Sequence, residues 1–295
     1  MPQVRLAKKN GAAPYVLITP ASLTLFVIIV VPIIYTFWLS FHYSTFGAPT
    51  QYVGLSNYSA LSRDVAFWRA LINNVIFVNV VVYGELLLGM TFAVFFARKV
   101  LFKKLMISII MAPYAVSPVL GVLMWRFLWE PDIGAINNWL SSLDLPQLLW
   151  TVKPLHAFFL IVLIAIWLQV PFTFLILYNS ILGIPSDLFD SARVDGANGW
   201  QVFRYITVPS IMPAIIVSLM FRYIFAFRTF DVVWVLTQGG PYRTTELLSV
   251  YLYKRAFTYY EFGIGSAVAW VMVLVTVLIA SYYLRVMYRR MFKNE

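Results

Sequence analysis

The chain has 295 residues, of which 61% are hydrophobic and 18% aromatic, whereas only 12% are charged. This apolar fraction lies well above the ~45–50% of soluble domains, which excludes an ordinary water-soluble globular fold. The formal net charge is +10, and the chain contains no cysteine, which excludes disulfides, Cys-ligated zinc and iron–sulfur centres.

Four long stretches of the chain contain no Lys, Arg, Asp or Glu: residues 10–62, 105–125, 154–186 and 262–284. Each can hold the ~20 residues that a helix needs to cross a hydrocarbon core. The sequence therefore predicts an all-α, polytopic membrane protein formed by one transmembrane domain over residues 1–295. We predict six membrane-spanning helices, at approximately 15–39, 71–97, 105–129, 156–180, 209–235 and 263–287.

The first predicted span follows a basic lead-in like that of a secretory signal. Its apolar segment is much longer than the ~7–15 residues of a signal core, and no cleavage site follows it, so we expect a retained helix. Five prolines fall within predicted spans: Pro20, Pro32, Pro113, Pro118 and Pro171. In lipid, the carbonyls that proline leaves unpaired must find other partners, which favours a packed helix bundle.

The basic residues indicate how the chain is oriented in the membrane. Six crossings put both termini on one side, and thirteen basic residues fall there: Arg5, Lys8, Lys9, Arg98, Lys99, Lys103, Lys104, Arg193, Arg204, Arg285, Arg289, Arg290 and Lys293. Six fall on the other side: Arg63, Arg69, Lys153, Arg243, Lys254 and Arg255. The positive-inside rule places the termini in the cytoplasm, so the basic excess calls for no nucleic-acid partner.

The stretch 186–208, which includes "DSARVDGANGW", is charged and broken by glycine in an otherwise apolar chain. Ser186 is a good N-cap type, and Asp187 would follow it in the first helical turn. Gly196 suits a left-handed helix end, Asn198 can cap a second short helix, and Pro209 would open the fifth span. The pattern predicts a cytoplasmic helix–turn–helix at the membrane surface, with a mixed face suited to a protein partner.

The spacing within this stretch resembles the "EAA" loop of ABC importer permeases, E-A-A-x₃-G-x₉-I-x-L-P. Here Asp190 and Ser191 replace Glu and the first Ala, and Val208 replaces Leu. In that family the loop forms the coupling helix that docks on the ATP-binding subunit, and Asp190 would reach less far than Glu. The resemblance assigns this coupling role to Asp190, Ser191, Ala192, Asp195, Gly196, Ala197, Ile206 and Pro209.

Four other segments resemble the sugar branch of the same permeases and follow in the family's order: 53–58, 70–73, 125–140 and 236–257. The resemblance implies the type I ABC importer bundle, in which the chain would pair with a second, homologous permease. Two ATP-binding subunits, an extracytoplasmic solute-binding protein and membrane lipid would be its other partners. Sugars, oligosaccharides and glycerol 3-phosphate are all carried by such relatives.

The chain shows no sign of covalent chemistry of its own. It has no G-x-x-x-x-G-K-[ST] loop, so ATP and Mg²⁺ would be bound by partner subunits, and we expect no enzyme activity and no cofactor here. The sequence "TQGGP" (237–241) resembles the ATPase signature peptide only superficially, because no nucleotide fold surrounds it. His42 and His156 lack metal-ligand spacing, so no metal site is predicted.

Five charged residues fall within or at the edge of predicted spans: Glu85, Arg126, Arg222, Arg228 and Asp231. Each is costly unless it is paired or hydrated. Arg228 and Asp231 are three residues apart, which predicts an ion pair on one helix.

Helical spacing on the fifth predicted span puts Arg222, Phe225 and Thr229 on another face, which we interpret as part of a translocation path. Alternatively, Arg222 is held by carbonyls at the contact with the second permease. The role of Glu85 stays open.

A second class of function is a standalone secondary transporter or channel. It predicts inverted repeats, broken helices and intramembrane carboxylates that couple transport to an ion gradient. The sequence shows no internal repeat, and Glu85 is its single deep carboxylate. The importer permease is therefore favoured.

Overall fold

The structure is a computed structural model that describes residues 13–98 and 100–292. Its helices are α1 Ala13–Leu39, α2 Ser56–Arg63, α3 Val65–Ala97, α4 Lys103–Met111, α5 Pro118–Leu128, α6 Ala135–Ser142, α7 Pro154–Leu182, α8 Ser186–Val194, α9 Gly199–Val202, α10 Val208–Ser210, α11 Met212–Phe227, α12 Asp231–Leu236, α13 Leu248–Tyr253 and α14 Phe262–Phe292. A two-stranded antiparallel hairpin, β1 His42–Tyr43 and β2 Gln51–Tyr52, follows α1. The predicted all-α class is confirmed.

Four of the helices, α1, α3, α7 and α14, are long and apolar enough to cross a membrane unaided. Two bent pairs of helices bring the total to six if each pair counts as one span. α3 begins six residues before the predicted start at 71, because the Asp64 side chain caps it by accepting a hydrogen bond from the Ala66 amide at 2.7 Å. α7 and α14 match their predicted spans closely.

The third predicted span, 105–129, is not a single rod. The helical stretch Lys103–Ala115 and α5 meet at an angle of 103°. Ser117 adopts an extended conformation, with ψ of 133°, directly before Pro118. A residue before proline avoids the helical region, and proline itself cannot donate the next helical hydrogen bond, so the chain turns here.

The fifth predicted span, 209–235, is broken twice. Gly199–Ser210 forms one helical piece with a π-helical turn at Phe203–Thr207, and it meets α11 at 68°. Pro209 lies inside that first piece, so the expectation that it opens the span is wrong; Pro213, in the first turn of α11, takes that place. A second break separates α11 from α12 at residues 228–230.

The core of the bundle lies between α3 and α7; α11 packs against both, α12 packs against α7, and α14 packs against α11. Two glycines of α3 let the α3 and α7 backbones approach closely. A Cβ on Gly84 would come within 2.7 Å of Ile166, and one on Gly89 within 2.8 Å of Thr173. α1 contacts α14 and β1, and most of its apolar side chains face away from the chain, as expected for a helix in lipid.

Five of the basic residues used to predict the orientation lie outside the described residues: Arg5, Lys8, Lys9, Lys99 and Lys293. The other residues used for the orientation lie in segments that the structure does describe, including the loop between α7 and α11.

Candidate functional site: a helical loop and an interior cavity

The loop between α7 and α11 is organised by its own backbone. α8 ends in a left-handed turn at Gly196, with φ of +74°. The Gly196 amide donates to the Arg193 carbonyl at 3.1 Å, and the Ala197 amide to the Ala192 carbonyl at 2.9 Å. These two bonds form a Schellman motif, in which glycine at the left-handed position avoids a steric penalty. The predicted role of Gly196 as a helix end is confirmed.

The second short helix of the loop, α9, begins with a reciprocal cap. The Asn198 side chain accepts from the Gln201 amide at 2.9 Å, and the Gln201 side chain accepts from the Asn198 amide at 2.7 Å. The predicted cap at Asn198 is confirmed. The predicted N-cap at Ser186 is wrong, because Pro185 holds the cap position and Ser186 is already helical. Asp187 does lie in the first turn of α8.

The side chains of this loop divide into a buried contact and an open face. Ala192 is buried, whereas Asp190 and Arg193 form an exposed ion pair at 2.9 Å. Val194 is 89% exposed and Trp200 67% exposed. A shallow groove is lined by Asp187, Asp190, Ser191, Val194 and Asp195. The other residues of the predicted coupling set are half-buried or exposed: Ala197, Ile206 and Pro209.

A partly open cavity of about 470 Å³ in the bundle is lined by α3, α7, α11, the start of α12, the break at 228–230 and residues 114 and 118. Its polar lining consists of Tyr114, Gln169, Arg222, Arg228, Thr229 and Asp231. Its apolar lining includes Phe172, Phe225 and Phe230. The three predicted path residues and both residues of the predicted ion pair therefore line one cavity. A few convergent polar groups among aromatic rings are typical of a small-molecule site.

Arg222 has its partner on another helix of the same chain. Its Nε and Nη2 donate to the two carboxylate oxygens of Glu85 at 2.5 and 2.8 Å, and its Nη1 donates to Gln169 Oε1 at 3.1 Å. Glu85 lies on α3 and is fully buried, and Arg222 is 4% exposed. The alternative in which carbonyls hold Arg222 is therefore wrong in its chemistry, since a carboxylate and a side-chain amide hold it.

The predicted ion pair between Arg228 and Asp231 is not formed. Within residues 13–98 and 100–292, neither side chain has a salt-bridge partner. The prediction assumed one continuous helix, but α11 ends at Phe227 and α12 starts at Asp231. Three-residue spacing does not bring side chains together across a break, so both charges are left facing the cavity.

A second cluster of polar and charged side chains lies at the end of the bundle opposite the loop at 186–208. It joins the start of α3, α13 and the residue just before α14. Arg255 pairs with Asp64 and, at 2.8 Å, with Glu261. Tyr251 donates to Asp64 at 2.7 Å and accepts from Arg255 Nε at 3.0 Å. We call Asp64, Tyr251, Arg255 and Glu261 the outer cluster.

The electrostatics of the outer cluster favour its charged forms. Burial alone would raise the pKa of the Asp64 carboxyl, but hydrogen bonds from Tyr251 and the Ala66 amide outweigh it. With the added charge of Arg255, the pKa of Asp64 lies below its usual value. Burial alone would lower the pKa of Arg255, but the hydrogen bond and charge of Glu261, together with the contact with Tyr251, raise it above its usual value.

In three of the segments that resemble sugar-branch permeases, an asparagine side chain donates hydrogen bonds to backbone carbonyls. Asn57 donates to the Ser40 and His42 carbonyls at 2.8 and 2.9 Å. Asn73 donates at 3.2 Å to two carbonyls in the segment 236–257, which ties two of the resembling segments together. Asn137 donates to the Trp129 and Leu148 carbonyls. These asparagines stabilise the loops of that side.

The remaining intramembrane charge, Arg126, lies near the end of α5. Its guanidinium stands 5.9 Å from the centre of the Trp150 ring and donates to the Val235 carbonyl at 3.4 Å. Arg126 therefore lies at the edge of the bundle and outside the cavity.

Sequence reasoning missed three functional contacts. It singled out Glu85 and Arg222 without pairing them, and it missed Gln169 and the outer cluster altogether. Gln169 carried a usable signal, since it is an amide deep within a charge-free stretch. A bundle of helices long enough to cross a membrane, with a cavity lined in part by polar side chains, is typical of a membrane transport protein.

Comparisons with known proteins specify this class. Residues 85–293 match the family described as binding-protein-dependent transport system inner membrane component. The chain is 34% identical over 289 residues to the trehalose/maltose transport system permease protein MalF of Thermococcus litoralis, covering 96% of each protein. It is 31% identical over 273 residues to the sulfoquinovosyl glycerol transport system permease protein SmoG of Agrobacterium fabrum, covering 92% of this chain and 88% of that one.

A solved structure shares the fold of the chain. A chain in the crystal structure of a bacterial alginate ABC transporter, in complex with an alginate pentasaccharide-bound periplasmic protein, superimposes with a TM-score of 0.84. It covers 95% of this chain and 94% of its own length at 23% identity.

The chain belongs to the family of binding-protein-dependent inner membrane components. It is a multi-pass permease subunit of an ABC importer. Broken helices, which we associated with secondary transporters, occur in it as well, so they do not separate the two classes.

Proposed function

We propose that the chain is the permease subunit of an importer for a sugar or oligosaccharide. The observation that carries this proposal is its 34% identity to a trehalose/maltose permease across 96% of both proteins. The fold shared with an alginate transporter chain adds support for a carbohydrate. The chain would form half of the translocation path, and a second, homologous permease would form the other half.

The loop at 186–208 couples this chain to an ATP-binding subunit. The complex contains two such subunits, which bind ATP and Mg²⁺ and hydrolyse the nucleotide. The two short helices of the loop hold their shape through their own caps, so their outward side chains stay free for a partner. Val194 and Trp200 supply apolar contact area, and Asp190 lies in the groove beside Val194. Exposed aromatic and aliphatic side chains beside charges are typical of protein-binding surfaces.

The cavity supplies one wall of the path for a hydroxylated solute. Phe225 and Phe230 offer apolar ring faces, and the side chains of Thr229, Arg228 and Asp231 offer hydrogen-bond groups that have no side-chain partner within the described part of the chain. A solute-binding protein delivers the sugar from outside. ATP binding and hydrolysis shift the populations of two bundle arrangements that open the path to opposite sides.

Reconstitution tests this function. The chain, its partner permease and the ATP-binding subunits are placed in vesicles with the solute-binding protein, and uptake of labelled maltose and trehalose is measured. We expect uptake that requires both ATP and the binding protein. Uptake of glycerol 3-phosphate with neither disaccharide transported would contradict the sugar assignment.

A matched pair of variants tests the cavity. Arg228→Gln should reduce uptake while leaving the yield of assembled complex unchanged, because Arg228 faces the cavity and has no ion-pair partner among the described residues. Arg126→Gln, on an arginine outside the cavity, is the control. Equal uptake by both variants and the wild type would remove Arg228 from the path.

Single cysteines test the orientation. The native chain contains none, so labelling is free of background. A cysteine at Ala197 should react with a membrane-impermeant thiol reagent only from the cytoplasmic side, and one at Ser56 only from outside. The reverse pattern would overturn both the orientation and the coupling role of the loop.

A further inference from the structure

Arg222 lines the cavity, but its guanidinium is already paired with other side chains of the same chain. All three nitrogens of the guanidinium donate to side chains of the same chain, two to Glu85 and one to Gln169. Arg222 and Gln169 line the cavity, whereas Glu85 is not among its lining residues and is fully buried. Glu85 therefore lies behind Arg222 and acts on the cavity through it.

The charges of the cavity wall balance as a result. Glu85 cancels the charge of Arg222 through a two-bond pair. The wall then presents one further cation, Arg228, and one anion, Asp231, which do not pair with each other. The cavity as a whole carries no net charge along this wall, although it contains two arginines.

We infer that Glu85 sets the charge selectivity of the translocation path, by neutralising Arg222 so that an uncharged, hydroxylated solute is favoured over an acidic analogue. This inference rests on the proposed function. Glu85 is a positioning residue, because it touches Arg222 and not the solute.

The physical reason is the strength of guanidinium–carboxylate pairing away from water. Arginine presents its donors in a fork that matches a carboxylate, and the attraction grows as the local dielectric falls. With Glu85 in place, an incoming carboxylate would have to displace it. Without Glu85, the same fork would be free for an anionic solute.

Direct binding tests the inference without the solute-binding protein, which would filter solutes first. The assembled complex in lipid nanodiscs is titrated with maltose and with maltobionate, which share a glucosyl unit but differ by a carboxylate. We expect the wild type to favour maltose. Glu85→Gln should raise the affinity for maltobionate relative to maltose by at least about tenfold. An unchanged ratio would overturn the inference, as would a wild type that favours maltobionate.

Two further variants separate charge from packing. Glu85→Gln/Arg222→Gln removes both charges and should restore the wild-type preference. Glu85→Gln/Gln169→Glu moves the carboxylate to the other residue that already contacts Arg222, and should restore that preference too. If Glu85→Gln does not assemble, this relocated carboxylate should rescue both assembly and selectivity. Failure of the rescue, with the double-neutral variant assembling, would assign the pair to packing alone and overturn the inference.

The failure of the proposed function would look different. If the wild type binds neither probe, the sugar assignment fails. Glu85→Gln still decides the inference in that case, because new binding of maltobionate alone would support it and continued absence of binding would overturn it.

Discussion

The outer cluster and the loop at 186–208 use charged side chains in opposite ways. In the outer cluster, Arg255 binds both Asp64, at the start of α3, and Glu261, just before α14. In the loop, the single ion pair joins residues three apart on one helix and stays exposed. Charges that connect distant segments stabilise the chain itself, whereas charges left on a locally capped loop are available to another subunit. Variants in the two regions should therefore fail in different assays.

The largest effect on stability is expected at Arg255. Arg255→Gln leaves two carboxylates without their cation, and we expect a cost of about 2–3 kcal/mol, below the ~3–5 kcal/mol of a fully buried pair because this one is partly exposed. Thermal unfolding in detergent measures it. Arg193→Gln breaks the exposed pair of the loop and should cost ~0–1 kcal/mol. Equal losses in the two variants would erase the contrast between the regions.

Gly196→Val should break coupling while sparing the bundle. A Cβ at Gly196 meets no atom within 4 Å, so the penalty is the backbone strain of a left-handed β-branched residue, about 1–3 kcal/mol confined to the end of α8. Co-purification of the ATP-binding subunit and sugar-stimulated ATP hydrolysis should both fall. Gly199→Val, at a glycine without positive φ, is the matched control. Normal coupling in Gly196→Val would remove the coupling role of the loop.

Acid should weaken the outer cluster. The folded pKa of Asp64 lies below its unfolded value of about 3.9, so its contribution to stability is complete above that pH and is lost as the pH falls through the folded pKa. The midpoint of thermal unfolding should decline below about pH 4. Asp64→Asn should be less stable at neutral pH and should lose less on acidification. A slope as steep as that of the wild type would mean that other groups cause the decline.

The smallest effect on stability is expected at Asp190. Asp190→Lys replaces one exposed charge, so the free energy of unfolding should change by less than about 1 kcal/mol. Its effect should appear as weaker binding of the ATP-binding subunit, measured by titration. Asp132→Lys, an exposed residue on the other side of the membrane, is the control. Equal binding in both variants would exclude Asp190 from the docking surface.

Local features were predictable from the sequence, and distant contacts were not. The glycine end of α8 and the asparagine cap of α9 depend on residues within a few positions, so their sequence signals were sufficient. The break at Pro118 was also readable, since a serine–proline step opposes a helix. The break at 228–230 contains neither glycine nor proline, and it depends on tertiary contacts such as the Ser249 hydroxyl, which donates to the Thr229 carbonyl.

The pairing of Glu85 with Arg222 is another distant contact that the sequence alone could not predict. The two residues are 137 positions apart, and only the packing of α3 against α11 brings them together. The cost of a lone charge in a span predicts that a partner exists, but it does not identify the partner.

The close approach of α3 and α7 has a mechanical consequence. At Gly84 the Ile166 side chain fills the contact, and at Gly89 the Thr173 side chain and the Phe174 amide do, so these helices can slide or part only by giving up packing along their length. The helices are interrupted at 116–117, 211 and 228–230, so the backbone can rotate there at lower cost than within a helix. The pair of α3 and α7 is therefore the rigid part of the molecule, and the three interruptions are the positions where other helices can move relative to it. The cavity that Arg222 lines lies between this rigid pair and the interrupted helices.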